Sequence, residues 1–386
     1  MIRFGLFSSL LTLGALNGFG VAVLLVNTRS NRTANRILAA LLTILALRLV
    51  PYIIGYAGGY DAWPWLSFAP FDLPLLIGPL LYLYVVRLVG DTLPVRWWWH
   101  LVPGAIHFMV YFALFAFVPL PVRHALVRAW IDPVVAPAIT LGALGGLGLY
   151  GWNALRVLRD YQQWLDDHLS NREEYRLTWL RVLLAIMAML AVVWGGFAVV
   201  DLLVKPLSYF DEFPFYLVQS AAAWALGLLA WREAELRYPT RRVEPAVSEP
   251  AAPAAPVTPA PRGPDWTALG ADYLKALRAQ EWWRDPQLTL DRLAQHLATN
   301  TSYVSKALNQ GLGQGFNECV NRLRVEAVAA DLSAGSTRDL VQIAFDCGFN
   351  SKASFQRAFV QYMGQTPSAF RDAARRAAAP PEAAQD

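Results

Sequence analysis

Seven predominantly apolar stretches, approximately 5–26, 37–57, 73–89, 98–119, 133–155, 179–204 and 213–231, fill the first 237 positions of the chain. A helix that crosses a bilayer needs about 20 such residues, and a water-soluble domain has no use for seven of them in succession. The sequence therefore predicts a seven-helix transmembrane bundle over residues 1–237. Composition agrees, with 55% hydrophobic and 16% charged residues, against about 25% charged in ordinary soluble domains. The first stretch is longer than a signal-peptide core and no A-x-A site follows it, so it reads as a span. Cys319 and Cys347 are the two cysteines, too few for a disulfide scaffold or a four-cysteine zinc site.

Arginines and lysines in the connections set the orientation. With the N-terminus outside, the cytoplasmic flanks hold fourteen: Arg29, Arg32, Arg36, Arg87, Arg96, Arg156, Arg159, Arg172, Arg176, Arg181, Arg232, Arg237, Arg241 and Arg242. The opposite side holds four, Arg3, Arg123, Arg128 and Lys205. Seven crossings with this bias predict a multi-pass protein of the cell (inner) membrane with its C-terminal part in the cytoplasm.

Inside the second span lies Arg48, and an intramembrane charge is expensive enough to mark a candidate site. The expectation is a pair with Asp201 or Asp72, or the receipt of an anionic ligand; the plain alternative is a structural salt bridge reached by tilting or snorkelling. His100 and His107 share a helix face, but no carboxylate accompanies them, so they read as packing residues and no metal is expected. Trp97, Trp98 and Trp99 stand at a span boundary, as in an interfacial aromatic belt. No G-x-S-x-G, H-E-x-x-H or phosphate-loop pattern occurs; neither an enzyme nor a cofactor is predicted.

Prolines at 239, 245, 250, 253, 256, 259, 261 and 264 mark residues 238–264 as a semi-extended Pro/Ala-rich linker. Beyond it, residues 265–376 read as a soluble domain and 377–386 as a disordered tail.

The soluble domain contains a repeat. Leu290, Leu293, Ala294 and Leu297 follow the apolar stripe of a short helix, and Leu340, Ile343, Ala344 and Cys347 repeat it fifty residues later. Thr289 is a candidate cap for the first helix, Ser336 or Thr337 with Asp339 for the second. A polar turn follows each, Ala298–Thr301 and Gly348–Ser351, leading to further short helices over 302–310 and 352–362. Helix, tight turn, helix is the helix-turn-helix unit, here present twice. In the first, Val304 and Leu308 must face inward, leaving Ser302, Ser305, Lys306 and Asn309 on another face. In the second, Phe355 and Phe359 face inward, leaving Lys352, Ala353, Gln356 and Arg357. Such side chains reach base edges and phosphates in a major groove, although any one of them also suits a solvated helix face. Residues 316–332 read as a longer helix holding the units apart, and helical segments within 266–283 complete the first unit's core. The tract 350–376 carries five basic residues against one acid.

Residues 288–371 resemble the AraC-type DNA-binding domain of bacterial transcription regulators. The resemblance is carried by LTLDRLAQHLATNTSYVSKALNQGLGQGFNECVNRLRVEAV and, more specifically, by LVQIAFDCGFNSKASFQRAFVQYMGQTPSAFR. Ala298 stands where the family's first turn has glycine, and Leu308 where it has phenylalanine. The resemblance implies an all-α fold with two helix-turn-helix units, sequence-specific binding of double-stranded DNA and control of nearby promoters. Its expected partners are DNA and RNA polymerase, with a homodimer as a further expectation, beside the lipid bilayer and an unidentified stimulus. Two other classes compete. A transporter or membrane enzyme with an appended regulatory domain predicts paired intramembrane carboxylates. A membrane receptor whose C-terminal module binds protein predicts tolerance at Gln356 and Arg357.

Overall fold

The computed structural model describes residues 4–169, 177–208, 210–236, 238–239 and 264–378. Arg3, Arg172, Arg176, Arg237, Arg241 and Arg242 of the charge count, the linker over 240–263 and the tail over 379–386 lie outside the described residues. Among the described residues the regular elements are helices, with one isolated bridge between Leu169 and Thr289. The chain divides into two compact units, residues 1–160 with 177–244, and residues 161–176 with 245–386.

Within the first unit, α1 (Leu6–Val26) packs on α2 (Arg32–Leu47). Past Arg48 and Leu49 the chain resumes as α3 (Val50–Tyr56), with Pro51 in its first turn. Proline has no N–H to return to Leu47, so the helix is interrupted there. The third apolar stretch becomes a 3₁₀ turn, Pro74–Leu76, and α4 (Ile77–Val89). Next come α5 (Val102–Phe117), α6 (Ala136–His168), α7 (Thr178–Leu203) and α8 (Phe213–Glu233). A π-helical turn over Val127–Val135, with Pro133 inside it, leads into α6. Leu11, Ala15, Ala46, Leu49, Phe215 and Tyr216 form a shared core of α1, the α2–α3 junction and α8.

Six of the seven apolar stretches form helices long and apolar enough to cross a membrane. The exception is Pro74–Val89, which at 1.5 Å per residue covers about 24 Å, short of the roughly 30 Å hydrocarbon layer. Leu80, Leu81, Leu83, Tyr84 and Val85 of this short helix are buried by their neighbours. By contrast, Leu13, Leu16, Val192 and Leu228 lie exposed on α1, α7 and α8, an apolar surface unlike that of a soluble monomer.

The 33 residues of α6 extend about 50 Å, more than a bilayer core requires, and its last turns carry Asp160, Asp166 and Asp167. Residues 161–169 group with the C-terminal half rather than with the apolar helices. The sequence boundary at 237 misses this, because the outward polar turns continue an unbroken helix.

The second unit begins its C-terminal part with α9 (Trp266–Ala279), whose N-terminus is capped by the Asp265 carboxylate. After a 3₁₀ turn over Trp282–Arg284 come α10 (Leu290–His296), α11 (Thr301–Lys306), α12 (Phe316–Ser333), α13 (Leu340–Asp346), α14 (Lys352–Met363) and α15 (Pro367–Ala378). The last helix includes residues 377 and 378, which the sequence assigned to the tail. The long α12 supplies Phe316, Cys319, Val320, Leu323, Val328 and Leu332 to one core, which Leu290, Leu293 and Val304 join from one side and Ile343, Phe355 and Phe359 from the other. Arg324 crosses that core. It is 1% exposed and donates from Nε to the Trp283 carbonyl and from Nη2 to the Asp285 carbonyl, both at 2.8 Å. Burial pulls its guanidinium down to about 10, while it raises the Cys319 thiol to about 11, leaving that cysteine a packing residue.

Candidate nucleic-acid interface

The internal repeat extends to individual hydrogen bonds. In α10, Leu297 N bonds Leu293 O at 3.0 Å, Ala298 N bonds Gln295 O at 3.1 Å and Thr299 N bonds Ala294 O at 2.9 Å. Fifty residues on, Cys347 N bonds Ile343 O at 3.0 Å, Gly348 N bonds Phe345 O at 2.9 Å and Phe349 N bonds Ala344 O at 3.0 Å. Both helices thus end in the same closure, with a left-handed residue after the last turn. That residue is Ala298 at φ 51° in the first and Gly348 at φ 86° in the second.

Alanine pays a steric cost in this region that glycine does not. Replacing Ala298 by glycine is therefore expected to stabilise the C-terminal domain by about 0.5–1 kcal/mol. The reciprocal change, Gly348→Ala, has no such latitude, because a Cβ there would lie 2.7 Å from the Arg284 carbonyl oxygen and 2.9 Å from that of Trp283. It should cost more than about 2 kcal/mol. Urea titration of the two variants checks both signs.

Polar caps start all four short helices. Thr289 Oγ1 accepts from Arg292 N at 3.2 Å, and Asn300 Oδ1 from Tyr303 N at 2.8 Å. Asp339 Oδ2 accepts from Val341 N at 3.0 Å, and Ser351 Oγ from Ser354 N at 3.2 Å. Asp339, not Ser336 or Thr337, is the cap of α13. Each such cap stabilises its helix start by about 1 kcal/mol.

These ends fix how the second helix of each pair is rotated. On α14, Phe355, Ala358 and Phe359 are buried, while Lys352, Ala353, Gln356 and Arg357 are exposed. On α11, Val304 is buried, Ser302 and Lys306 are exposed, and Ser305 is half-buried. The helix expected over 302–310 changes character after Lys306, because Ala307–Gly311 forms a π-helical turn. Asn309 therefore leaves the helical register that grouped it with Ser302 and Ser305, although its Nδ2 still donates to Ser305 Oγ at 3.2 Å. Lys306 Nζ lies 5.8 Å from the centre of the Trp266 ring, and Tyr303 packs edge-on against the same ring. Tyr303 is 42% exposed beside this pair, an exposure that its aromatic type alone does not signal.

The acidic end of α6 belongs to this unit. Leu169 O accepts from Asn317 Nδ2 at 2.6 Å, and Asp166 and Asp167 line a cavity of about 250 Å³ together with Ser354, Arg357 and Gln361 of α14. Two carboxylates thus stand in the surroundings of the exposed cation on α14. Nothing in the chain's composition signals this placement.

Of the two carboxylates expected beside the intramembrane arginine, Asp72 is the one at hand. Arg48 Nε is 3.6 Å from Asp72 Oδ1. Asp201 is a correction, since its Oδ1 accepts from Leu207 N at 2.7 Å and so braces the turn that ends its own helix. His100 Nδ1 lies 2.9 Å from the Tyr150 hydroxyl.

Residues 293–373 match a family described as a helix-turn-helix domain. Over 84 residues the chain is 34% identical to an uncharacterized HTH-type transcriptional regulator of Staphylococcus aureus strain COL, covering 22% of this chain and 11% of that protein. Over 120 residues it is 32% identical to the regulatory protein PocR of Salmonella typhimurium, covering 31% of this chain and 39% of that one. The chain thus spans about a tenth of the staphylococcal relative and well under half of PocR. A solved structure of a protein of unknown function from Listeria innocua aligns with 27% of this chain and 94% of its own, at 24% identity and a TM-score of 0.24. The match over 293–373 begins within α10 and takes in the rest of both helix pairs and the α12 between them. Residues 293–373 are a helix-turn-helix domain of the AraC type, the kind found in transcription regulators.

Proposed function

We infer that the protein is a membrane-anchored, one-component transcription regulator that binds double-stranded DNA sequence-specifically through two helix-turn-helix units. The observation that carries this reading is the matched pair of capped helices on one core, each presenting short polar or cationic side chains outward. Gln356 and Arg357 have the chemistry to read base edges, with arginine suited to guanine O6/N7. Lys352 suits a phosphate, and Ser302, Ser305 and Lys306 form the corresponding face of the first unit. The process needs no covalent chemistry.

Six long apolar helices and the exposed leucines and valines on them support a bilayer as the surroundings of the N-terminal apolar helices. The buried Pro74–Val89 helix, short for a hydrocarbon layer on its own, is the proposed seventh crossing, walled by protein rather than lipid. An odd number of crossings with the arginine bias then sets the N-terminus outside and the DNA-binding domain in the cytoplasm. Reporter fusions test this directly. A periplasm-active reporter should work at the N-terminus and fail at the C-terminus, and activity at both ends would contradict the reading.

Residues 161–169 group with the DNA-binding unit, where Asp166 and Asp167 line a cavity with Arg357. Carboxylates there compete with DNA phosphates for the same cation. The double variant Asp166→Asn, Asp167→Asn is expected to tighten DNA binding about three- to tenfold at low salt, with the gain shrinking as salt rises. Titration of the full-length protein with duplex DNA at two salt concentrations measures it. RNA polymerase and a second copy of the chain are the proposed protein partners.

A further inference from the structure

We propose that the cavity beside Arg48 in the first unit binds a small zwitterion, an α-amino acid or short peptide carrying one ammonium and one carboxylate. The cavity measures about 550 Å³, within the range of small-molecule sites. It is built from the α2–α3 junction, the connection over 67–74, α5, the start of α6, α7 and the residues leading into α8.

Its polar wall is incompletely paired. Arg48 is 3% exposed, and its guanidinium carbon stacks 3.9 Å from the centre of the Trp194 ring. The 3.6 Å between Arg48 Nε and Asp72 Oδ1 is longer than a hydrogen bond. Both atoms are buried without a hydrogen-bond partner, and so is His107 Nδ1 on the same cavity. Buried polar atoms are nearly always partnered in folded proteins, so three without hydrogen-bond partners on residues lining one cavity point to a ligand that supplies the missing groups.

The chemistry of that ligand follows from what is missing. Arg48 Nε is a donor that needs an acceptor, and Asp72 Oδ1 is an acceptor that needs a donor. A simple anion would satisfy Arg48 but face Asp72 and Glu212; a simple cation would satisfy the carboxylates and leave Arg48 Nε without a hydrogen-bond acceptor. An apolar molecule would leave all three atoms as they are. A zwitterion pairs both, which narrows the anionic ligand expected from sequence alone. Glu212 is held for this role, since its Oε2 accepts from the Tyr52 hydroxyl at 2.9 Å, which in turn accepts from Tyr216. Trp194, Phe68 and Tyr60 give the apolar walls for a side chain, and aromatic faces also attract an ammonium. Arg123 fixes one wall, donating to the carbonyls of Ser67 at 2.8 Å and Phe115 at 2.7 Å.

The site rests on the proposed membrane reading only for the side from which ligand enters, where the connections around 57–74 and 204–212 lie away from the cytoplasm. The test uses the full-length protein in lipid nanodiscs, with the twenty common amino acids and a set of dipeptides as probes. Binding is read from tryptophan fluorescence and thermal shift. At least one probe is expected to bind saturably, and its N-acetyl and carboxamide derivatives, each lacking one charge, at least about tenfold more weakly. Asp72→Asn should weaken binding to a similar degree, and Ala69→Trp, which fills the cavity from a half-buried connection, should abolish it. No saturable binding by any probe, equal binding of the singly charged derivatives, or undiminished binding by Ala69→Trp would overturn the proposal. DNA titration of the same nanodiscs reads the regulator function separately. Loss of amino-acid binding with DNA binding intact sinks only the pocket, and the converse sinks only the regulator.

Discussion

Replacing Arg357 by alanine is expected to weaken binding to a preferred duplex by about 5- to 150-fold, the range of one good bidentate base contact, while binding to random DNA falls far less. The expectation follows from how α14 is held. Ser351 fixes its first turn, and Phe355, Ala358 and Phe359 lock its rotation against α12 and α15. Arg357 therefore projects outward from a rigid support, so little conformational entropy is lost when it engages a base. Lys352→Ala is the control, because a phosphate contact should lose affinity evenly across sequences and lower the salt slope by about one. Equal losses on preferred and random DNA for Arg357→Ala would make that residue a phosphate contact as well.

The largest stability effect is expected at Arg324, where leucine should cost about 2–4 kcal/mol. Replacing a buried ion pair by apolar residues is often harmless, because both partners are removed together. Here the partners are backbone carbonyls of Trp283 and Asp285, which no side-chain substitution can remove. Arg324→Leu recovers the desolvation that lowers the guanidinium pKa to about 10, but it strands two acceptors and detaches α12 from the turn before α10. The Phe349 ring, 5.9 Å from the guanidinium carbon, loses its neighbour in the same step. Hydrogen exchange on the full-length protein should show lost protection in α12 and α14, with the first unit unchanged. Wild-type protection in α12 would show that the two bonds contribute nothing net.

Much of this organisation is legible in the sequence. Periodicity locates the paired short helices because Leu290, Leu293 and Ala294 recur as Leu340, Ile343 and Ala344, and the inward positions Val304, Leu308, Phe355 and Phe359 are all buried. Hydropathy finds the apolar helices because each must carry its own apolar run. It counts the stretch over 73–89 with the rest although that stretch has only 17 residues, because apolar content rather than length selects it. Local signals also fail at long range. Asp72, 24 positions from Arg48, and Asp201, far beyond it, were equally plausible partners until the fold brought one near and turned the other toward its own backbone. The π-helical turn after Lys306 and the lodging of Asp166 and Asp167 beside α14 depend on tertiary packing, which no single window encodes. The glycine-for-alanine difference between the turns at 298 and 348 is visible in the sequence. Its physical meaning needed the carbonyls of Trp283 and Arg284.

Selection of random duplexes on the full-length protein in nanodiscs tests the central claim most directly. The enriched duplexes should share two blocks of fixed positions about 10 base pairs apart, one per helix pair meeting successive major grooves. Gln356→Ala with Arg357→Ala should erase the preference in one block and leave the other. A pool that emerges as random as it entered, or a preference untouched by those substitutions, would contradict it.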